Sequence, residues 1–562
     1  MRKAFLLATW VALSSAPTYS QDSAATRADW AHYGGTPFSW RYSALDQINA
    51  ANVKNLAPVW MFQTGDTADG LISTPIVVNG VMYVITPRTW VYALDAATGR
   101  LIWEYRSPKP EPLAAGGFDI NQNRGVAVAG DLVYFGTKDN YLVALDRKSG
   151  HVVWKVNVDD AKQCGCSISA APLIAGDKVI VGGTGGDSAH RGYLTAFNAK
   201  TGRFAWRWYV VPGPGEPGHE TWKGDTWKVG GGAPWMTGSY DAELGLVYWG
   251  TGNAGGDFIN ADRVSAGADK SKDTNLYTAS VVAIDGATGK LRWHRQEVPA
   301  DVWDFDSAYE VILMDREVRG VRRKILAHMN KSGLTFVLDR ATGELLNVFD
   351  VAEVRNWITG VTEDGRLVGR KEPVPGKTEL FCPSVAGAKS WNGMAYSPRT
   401  GFLYVPANEI CNDLTPEDTT PAEGQLFMRG TFNVKPVPGR ANVARVDAWD
   451  PVTGKRAWSA PYKYMLLASM LATAGDVVFT GTPEGDFFAL NARTGEKLWT
   501  YQTGAGHRGS SIAYAVNGRE FIATPSGFQT GLVGGGTAAM FPDVSFRTGS
   551  TIVVFALPEV VK

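Results

Sequence analysis

The chain has 562 residues, with 55 Lys and Arg against 55 Asp and Glu, so its formal net charge at neutral pH is zero. This balance provides neither the basic surface that nucleic-acid binding needs nor an acidic tail, and it favours a neutral or small substrate. Apolar residues make up 44% of the chain, enough for a sizeable core, and the length predicts two domains or one large repeat array.

The first 20 residues have the pattern of a secretory signal peptide. Arg2 and Lys3 precede an apolar run over residues 4–13, and Thr18 and Ser20 place small side chains at positions −3 and −1 of a cleavage site. The apolar run is too short to span a bilayer, and no later segment is long enough. We therefore predict that residues 1–20 are removed and that residues 21–562 form an exported periplasmic protein.

An internal repeat of about 50 residues runs through the rest of the chain. Each copy reads as a strand that ends in Asp or Asn, a tight turn with Gly, and a second strand that contains Trp. The intervals from Trp103 to Trp154 and from Trp154 to Trp206 are 51 and 52 residues. The copies occupy residues 93–103, 144–154, 196–206, 283–293, 448–458 and 489–499, with a degenerate copy, 337–347, that ends in Asn347.

Short, evenly spaced strands with an aromatic and glycine signature in each unit are typical of a β-propeller. Helical periodicity is nearly absent, and the length of the chain allows about eight units of this period. We predict an all-β fold, an eight-bladed β-propeller in which the repeated tryptophans pack one blade against the next. Longer insertions separate Trp206 from Trp293 and Asn347 from Trp458, and such loops commonly build the site of a propeller.

Residues 301–307 contain two carboxylates, Asp304 and Asp306, beside aromatic residues and directly after a predicted buried strand. On an extended backbone the two side chains face the same side. Like charges this close raise each other's pKa on burial unless a cation lies between them. The stretch therefore predicts a hard metal ion with oxygen ligands and one carboxylate free to act as a base. A surface turn, in which Asp is common, is the alternative.

The four cysteines suit an oxidising compartment. Cys382 and Cys411 are candidates for a disulfide across neighbouring strands. For Cys164 and Cys166 the sequence leaves two states open: two free thiols, or an i, i+2 disulfide, which is strained and uncommon. The sequence contains no Cys-x-x-Cys-His motif and therefore predicts no covalently attached haem.

Together with the repeat, residues 30–34, 41–49 and 56–60 resemble the quinoprotein alcohol dehydrogenases, and the resemblance covers nearly the whole predicted mature chain. Members of this family are periplasmic eight-bladed propellers that use pyrroloquinoline quinone (PQQ) and a metal ion. The resemblance implies an alcohol dehydrogenase with PQQ and Ca²⁺ or a trivalent lanthanide ion, and a separate cytochrome c or other electron acceptor. No membrane span is expected, and a homodimer is compatible with the sequence.

Individual motifs of the sequence resemble the segments that contact the cofactor in this family. Residues 221–232 resemble the glycine-rich segment whose second tryptophan forms the floor beneath the quinone, which assigns Trp227 to stack on that ring, against the alternative of one more core tryptophan. Residues 182–187 resemble the loop over the quinone carboxylates, with Thr184, Gly185 and Gly186 as anion donors. The resemblance assigns further cofactor contacts to Arg124, Ser169, Lys331 and Asn408.

The resemblance also implies the metal ligands and a mechanism. Asp187 and Asn253 match the carboxylate and amide ligands of the family. Asp304 matches the catalytic base, which is also a ligand, and Asp306 matches the additional acid of lanthanide-using members. In that mechanism the metal is a Lewis acid on the quinone C5 carbonyl, Asp304 takes the hydroxyl proton of the substrate, and hydride passes to C5. The Lys331 cation would stabilise the reduced quinol.

The chain departs from the family where the cofactor is covered. Phe118 and Asp119 stand where many members have adjacent cysteines, so we expect Phe118, or the pair Cys164 and Cys166, to take that place. Ile72 replaces a glutamate that contacts the cofactor.

Two further departures concern the metal and the substrate. Asp187 is one methylene shorter than the glutamate of methanol oxidisers, and Leu467 replaces a bulky tryptophan. We expect Phe118 and Leu467 to border a larger substrate pocket, which predicts a bulky or secondary alcohol. One example is the C3 hydroxyl of deoxynivalenol, which a Devosia-type member of the family oxidises.

Two other functions are compatible with this fold. One is a non-catalytic propeller scaffold for outer-membrane protein assembly, and the other is a sugar or polymer dehydrogenase. The ordered set Asp187, Asn253, Asp304 and Lys331 favours an enzyme, since a scaffold has no use for it.

Overall fold

The computed structural model describes residues 28–108, 121–528 and 532–559. The predicted signal peptide and Phe118 lie outside these ranges. Within them, the strands form eight sheets of four or five strands, which we number along the chain, and two smaller sheets. The all-β prediction is therefore confirmed. The blade number of eight stays a prediction, which this count of sheets supports.

The first four sheets are antiparallel, with strands in chain order. Sheet 1 contains Ile76–Val78, Val81–Ile85, Trp90–Asp95 and Leu101–Arg106. Sheet 2 contains Ala127–Ala129, Leu132–Gly136, Tyr141–Asp146 and Val152–Asn157. Sheet 3 contains Leu173–Ala175, Lys178–Gly182, Tyr193–Asn198 and Phe204–Tyr209. Sheet 4 contains Ser239–Asp241, Leu246–Gly250, Ser280–Asp285 and Leu291–Gln296.

The second four sheets follow the same plan with additions. Sheet 5 contains Ile312–Val318, Val321–Met329, Leu334–Asp339 and Leu345–Asp350. Sheet 6 contains Ala395–Tyr396, Leu403–Asn408, Ala444–Asp450 and Lys455–Tyr462. Sheet 7 contains Leu471–Thr473, Val477–Gly481, Asp486–Asn491 and Lys497–Gln502, and Tyr42–Ser43 joins it in parallel. Sheet 8 contains Ile512–Val516, Arg519–Ser526, Thr551–Ala556 and Ala57–Gln63.

Sheet 8 joins the two ends of the described chain. Its outer strand, Ala57–Gln63, pairs antiparallel with Thr551–Ala556, almost 500 residues later in the sequence. Because this pairing satisfies backbone groups that would otherwise form an exposed edge, it fixes the first and last sheets together.

The remaining elements are short and lie mostly in the insertions. The two smaller sheets are Gly360–Val361 with Leu367–Val368, and Glu379–Phe381 with Ile410–Pro416 and Gly430–Pro436. Short helices cover Val53–Asn55, Ala161–Cys164, His219–Thr221, Thr226–Val229 and Leu532–Met540. No helix in the described part of the chain combines the length and the apolar character needed to cross a membrane.

The repeated tryptophans connect each sheet to its neighbour. Each indole N–H donates a hydrogen bond of 3.0 to 3.2 Å to a backbone carbonyl outside its own sheet, in the pairs Trp103 to Arg147, Trp154 to Ala199, Trp206 to Gly286, Trp293 to Arg340, Trp458 to Ala492 and Trp499 to Leu56. In the degenerate copy, the Asn347 amide donates to Pro451 and Val452 carbonyls instead. The repeat therefore encodes a contact between sheets.

Two physical reasons explain why the turn of the repeat contains glycine. At Gly150 the backbone φ is +73°, and a methyl group there would lie 2.6 Å from the Trp103 ring of the preceding sheet. Glycine both adopts this φ without strain and lets the ring approach the backbone. Asp146 starts the same turn, and its carboxylate accepts from the Ser149 backbone N–H at 2.9 Å and hydroxyl at 2.8 Å.

Both cysteine pairs form disulfides. Cys382, directly after the strand Glu379–Phe381, and Cys411, in the neighbouring strand Ile410–Pro416, are bonded as predicted. Cys164 and Cys166, which the sequence left open, are also bonded to each other. They lie in an apolar cluster between sheets 2 and 3, with Tyr193 packed against them.

Candidate active site

A cavity of about 950 Å³, including its opening to solvent, collects side chains from the loops of sheets 2 to 8. Its size is in the range of cofactor and substrate pockets. Its lining residues are Gln122, Arg124, Thr184, Gly185, Gly186, Asp187, Trp235, Asp304, Asp306, Tyr309, Lys331, Val385, Ala386, Ser390, Trp391, Phe432, Val434, Met465, Arg508 and Gly536.

Two carboxylates and an ammonium group form the charged part of this cavity. Lys331 Nζ lies 2.6 Å from Asp304 Oδ1 and 2.9 Å from Asp306 Oδ2. Asp306 also accepts from the backbone N–H of Asn253 at 3.1 Å and from the Trp235 indole at 3.3 Å. The two aspartates are 3% and 4% exposed, so their charges depend on these partners and not on bulk water.

The backbone at Asp304 differs from the sequence-based expectation. The prediction of an extended stretch is wrong, because residues 301–307 lie outside the strands and Asp304 has a left-handed φ of +60°. The buried carboxylate of Asp301 folds the loop by accepting from the backbone N–H groups of Trp303 and Phe305 at 3.1 and 2.9 Å. A non-glycine residue at this φ stores strain, which is common at functional sites. Both carboxylates nevertheless face the cavity.

A buried network holds the two segments that carry these charges. Glu297, fully buried, accepts from Ser307 Oγ at 2.7 Å and from Asn330 Nδ2 at 3.1 Å, and its carboxylate lies 2.9 Å from His328 Nδ1. Ser307 follows Asp306, and Asn330 precedes Lys331. Because these contacts join both loops to one buried carboxylate, the network fixes the two loops relative to each other. Nothing in the sequence pattern singled out Glu297.

Asn253 presents an unpaired oxygen beside this centre. Its Nδ2 donates to Asp257 Oδ1 at 2.7 Å, while its Oδ1 is buried without a hydrogen-bond partner. A methyl group at Gly186 would lie 3.3 Å from that oxygen, so the glycine backbone of the 182–187 loop faces it closely. A buried acceptor without a donor is unfavourable unless another group, such as a cation, completes it.

Burial changes the acidity of these groups. Burial, and after it the charge of Asp306, raises the pKa of Asp187 to about 6. Burial also raises the pKa of Asp304 well above its ordinary value, although the Lys331 ammonium opposes that rise. Burial lowers the pKa of Lys331, but the carboxylates of Asp304 and Asp306 outweigh it and leave the pKa well above 10.5. Lys331 therefore stays charged at neutral pH.

Aromatic rings and guanidinium groups form the wall next to the charges. The Arg124 guanidinium lies 4.9 Å from the Trp235 ring and 4.8 Å from the Trp391 ring. Trp235 packs edge to face on Tyr309, with ring centroids 5.7 Å apart. Arg508 lies 5.7 Å from the Trp391 ring on the same wall. Such surfaces suit a flat, anionic ligand, because the rings stack and the guanidinium groups pair with carboxylates.

The prediction that Trp227 forms the floor under the quinone is not supported by this geometry. Trp227 is absent from the cavity lining and lies in the short helix Thr226–Val229, where Arg191 covers its ring at 4.9 Å. Trp235, eight residues later and just beyond residues 221–232, lines the cavity and donates to Asp306. The assignment failed because tryptophans lie both within that segment and just after it, and their spacing alone does not show which one turns inward.

Several predicted cofactor residues lie at or behind the wall. Thr184, Gly185 and Gly186 line the cavity, and the Thr184 hydroxyl is already bonded to Ser167 Oγ at 2.7 Å. Ser169 lies behind the lining and accepts from the Arg124 guanidinium. It therefore acts on the position of Arg124 in this geometry.

Other predicted residues are not brought into the cavity. The side-chain amide of Asn408 is engaged at both ends by the Leu466 backbone. Its Oδ1 accepts from the Leu466 N–H at 3.0 Å, and its Nδ2 donates to the Leu466 carbonyl at 3.3 Å. Leu467 is buried in an apolar cluster with Met465, and Met465 is the residue of the pair that lines the cavity. The prediction that Leu467 borders the pocket directly is therefore wrong. Neither Cys164 nor Cys166 lines the cavity, and Phe118 lies outside the described residues.

Sequence reasoning missed Trp235, Trp391, Arg508 and Asp257. The first three line the cavity, and Asp257 lies beside Asn253. The tryptophans had no signal that separated them from the docking tryptophans. For Asp257 the signal was present, since it follows the predicted metal ligand Asn253 by four residues in a glycine-rich loop.

The donor set fits a hard cation. Carboxylate oxygens of Asp187, Asp304 and Asp306 and the amide oxygen of Asn253 are the ligand types that Ca²⁺ and trivalent ions prefer. Across the described ranges no group of three or more His, Cys, Asp or Glu side chains is placed to hold a metal ion by itself. Lys331 lies between two of the carboxylates, and the amide oxygen of Asn253 is an additional donor, so a cation would complete a partly built site.

The sequence matches two family models. The model described as glucose/ethanol/alcohol dehydrogenase, β-propeller domain, with the short name PQQ, matches residues 30–364, well over half of the chain. A second model, described as outer membrane protein assembly factor BamB, matches residues 418–539.

Curated relatives and a solved structure agree with the first model. The chain is 36% identical to the quinoprotein alcohol dehydrogenase PedH of Pseudomonas putida, over 92% of this chain and 89% of the relative. It is also 36% identical to the lanthanide-dependent methanol dehydrogenase of Methylorubrum extorquens, over 91% of this chain and 88% of the relative. A europium-containing methanol dehydrogenase superposes with a TM-score of 0.88 at 30% identity, over 94% and 98% of the two chains.

These matches confirm the predictions of a β-propeller fold, of an oxidoreductase, and, for the family, of PQQ with Ca²⁺ or a lanthanide ion. The cavity described above is consistent with them, since it combines oxygen donors, aromatic walls and guanidinium groups. The chain belongs to the family of PQQ-dependent quinoprotein alcohol dehydrogenases.

Proposed function

We propose that this protein is an exported dehydrogenase that oxidises a bulky or secondary alcohol to its carbonyl compound with PQQ and a Ca²⁺ or lanthanide ion. The observation that carries the proposal is the placement of Asp304, Asp306 and Lys331 in one cavity with the unpaired Asn253 oxygen. Acids, a base and a cation site converge there beside aromatic walls, which is the set that this oxidation needs.

The cation would be held by Asn253 Oδ1 and the carboxylates of Asp187, Asp304 and Asp306. The quinone would lie against Trp235, with its carboxylates near Arg124 and the backbone of Gly185 and Gly186. When bound, the quinone and the cation supply a two-electron acceptor and a Lewis acid.

Asp304 is the proposed base for the substrate hydroxyl. Its carboxylate is 3% exposed and reaches the cavity, so a proton that it accepts is shielded from bulk water. Burial raises its pKa, which makes the carboxylate a stronger base than one on the surface. Lys331 holds Asp304 Oδ1 at 2.6 Å and keeps a positive charge beside the place where negative charge develops.

The rest of the cavity indicates the class of alcohol. One part of the lining is apolar and contains Val385, Ala386, Phe432, Val434 and Met465. Apolar walls next to a charged base suit an alcohol with a hydrocarbon body and disfavour a free sugar, whose hydroxyl groups would lose hydrogen bonds. We propose secondary or polycyclic alcohols as substrates, with the C3 hydroxyl of deoxynivalenol as one member of the class.

The chain needs a separate electron acceptor in this proposal. Its sequence has no Cys-x-x-Cys-His motif to attach a haem, so electrons would leave to a cytochrome c or another acceptor. Both disulfides and the N-terminal sequence pattern support an exported, periplasmic protein. A homodimer is compatible with the proposal and is tested by light scattering.

The test is reconstitution of purified protein with PQQ and either Ca²⁺ or La³⁺, followed by dye-linked oxidation of methanol, secondary alcohols, deoxynivalenol and sugars. The proposal expects turnover only with PQQ and a cation, fastest with the bulky alcohols. Asp304→Asn should lower turnover about 100-fold or more, and Asp131→Asn, at an exposed position, should leave it unchanged.

Two results would contradict the proposal. Failure of the purified protein to bind PQQ in the presence of any cation would favour the scaffold function. Preferential turnover of sugars would replace the proposed substrate class.

A further inference from the structure

Asp257 is a buried carboxylate beside Asn253 to which the family resemblance assigned no role. It lies in the loop after the strand Leu246–Gly250 and is fully buried. Its Oδ1 accepts from Asn253 Nδ2 at 2.7 Å, and its Oδ2 is buried without a hydrogen-bond partner. A buried carboxylate oxygen with no donor needs a cation or water to be stable.

The hydrogen bond to Asp257 decides which way the Asn253 amide faces. A carboxylate offers only acceptor atoms when it is ionised, so the amide must turn its NH₂ group toward Asp257. The other end of the amide, Oδ1, then faces the glycine backbone at Gly186, where a methyl group would lie 3.3 Å away. With the opposite rotamer, the amide would present two N–H donors to the cation site instead of an oxygen.

Asp257 also changes the charge of the site. Together with Asp187, Asp304 and Asp306 it forms what we call the carboxylate cluster, and Lys331 is the ammonium group that contacts two of its members. Burial, and after it the charges of Asp187 and Asp304, raises the pKa of Asp257 well above its ordinary value, and a bound cation would oppose that rise. Behind Asp257, the Arg263 guanidinium is also close enough to act on its charge, but the donors of Arg263 are bonded to backbone carbonyls of Gly255, Gly256, Ile259 and Asp301.

We propose that Asp257 is a positioning residue of the cation site, which holds Asn253 Oδ1 toward the cation and adds a negative charge that favours a trivalent lanthanide ion over Ca²⁺. The inference rests on the cation site of the proposed function. Four buried carboxylates beside one contacting ammonium group leave an excess of negative charge, and a trivalent ion offsets more of it than a divalent ion does. Outer-shell partners of this kind orient a ligand and tune the metal.

Two substitutions separate the two roles. Asp257→Asn keeps an oxygen that accepts from Asn253 Nδ2 but removes the charge. Asp257→Ala removes both the acceptor and the charge. Asp269→Asn is the matched control, because Asp269 is an exposed aspartate outside the cavity.

The experiment measures Tb³⁺ and Ca²⁺ binding to full-length protein loaded with PQQ. Tb³⁺ luminescence excited through the protein's tryptophans gives the Kd for Tb³⁺, and Ca²⁺ competition gives the Kd for Ca²⁺. Luminescence lifetimes in H₂O and D₂O count the water molecules on Tb³⁺. Circular dichroism and the Tm of each variant establish that it is folded.

The proposal expects Asp257→Ala to weaken binding of both ions by about tenfold or more and to add a water molecule to bound Tb³⁺. Asp257→Asn should weaken Tb³⁺ more than Ca²⁺ and leave the water count unchanged. Wild-type Tb³⁺ affinity in a folded Asp257→Ala protein would overturn the positioning role. Equal weakening of the two ions in Asp257→Asn would overturn the charge preference. If the wild type binds neither ion, the cation site of the proposed function itself is wrong.

Discussion

The outer turns of the sheets and the central cavity use their polar groups in opposite ways. In the outer turns, each repeat carboxylate and each docking indole has a partner, as with Asp146 and Ser149, or Trp103 and the Arg147 carbonyl. At the cavity, Asn253 Oδ1 and Asp257 Oδ2 are buried without partners. The repeat turns are therefore satisfied from within, whereas these two atoms beside the cavity remain for a ligand to complete.

Substitution in the cavity should lower the turnover of the enzyme, and this is the largest effect that we expect. Lys331→Met removes the cation that pairs Asp304 and Asp306 while preserving much of the side-chain volume. We expect turnover of the reconstituted enzyme to fall by about 10² to 10³-fold, because charge that develops beside Asp304 loses its stabilisation. The Tm is measured beside turnover, because loss of the ammonium leaves two buried carboxylates without their partner. Turnover within threefold of wild type would show that Lys331 is not part of the machinery.

Substitution in the outer turns should affect stability instead. Gly150→Ala places a methyl group 2.6 Å from the Trp103 ring at a φ of +73°, and we expect the free energy of unfolding to fall by about 2 to 4 kcal/mol. Gly245→Ala is the control, because its φ is +66° and nothing lies within 4 Å of the added methyl. It should cost about 1 to 2 kcal/mol, the strain of the backbone alone. Equal losses in the two variants, measured by urea denaturation, would mean that the tryptophan contact contributes nothing.

Trp227 and Trp235 allow a sharper comparison. Trp235→Phe reduces the stacking area and removes the indole donor to Asp306, so PQQ affinity should weaken about tenfold, or about 1.4 kcal/mol. Trp227→Phe, outside the cavity, should leave PQQ affinity unchanged. Kd values for PQQ, from quenching of protein fluorescence, decide which of the two rings contacts the quinone. A loss of affinity confined to Trp227→Phe would favour Trp227 as the floor under the quinone.

The last prediction concerns pH and lies far from the cavity. Burial raises the pKa of Glu520 to about 7, although the backbone N–H of Ile48 donates to its carboxylate at 2.9 Å. The folded protein therefore keeps a proton that the unfolded chain releases near pH 4.5. The contribution of Glu520 to the free energy of unfolding is complete below pH 4.5 and is lost as the pH rises through 7. Between these values the free energy of unfolding falls by about 1.4 kcal/mol per pH unit. In Glu520→Gln that part of the slope should vanish, and unchanged pH profiles would exclude Glu520 as its source.

The repeat made the outer part of the fold predictable. Turn residues such as Asp146 and Gly150, and the docking Trp103, act through local geometry that recurs in each copy, so spacing alone shows their role. Resemblance to the family placed Asp304 and Lys331 correctly in one cavity. It did not give the left-handed backbone at Asp304, because that conformation depends on the Asp301 carboxylate folding the loop.

The remaining site residues depend on long-range geometry. Trp235 and Trp227 are eight residues apart in the sequence, and only the folded loop shows that Trp235 faces Asp306. Leu467 and Met465 are two residues apart, and the cavity selects Met465. Asp257 has no family counterpart in the sequence-based assignment, so its role emerged from a hydrogen bond to Asn253.

A crystal structure of the protein loaded with PQQ and Tb³⁺, with anomalous scattering used to locate the ion, is the decisive test of the proposed cation site. We expect the ion to be bonded to Asn253 Oδ1 and to carboxylates of Asp304 and Asp306, with the quinone stacked on Trp235. An ion bound away from Asn253, or a quinone stacked on Trp227, would contradict it.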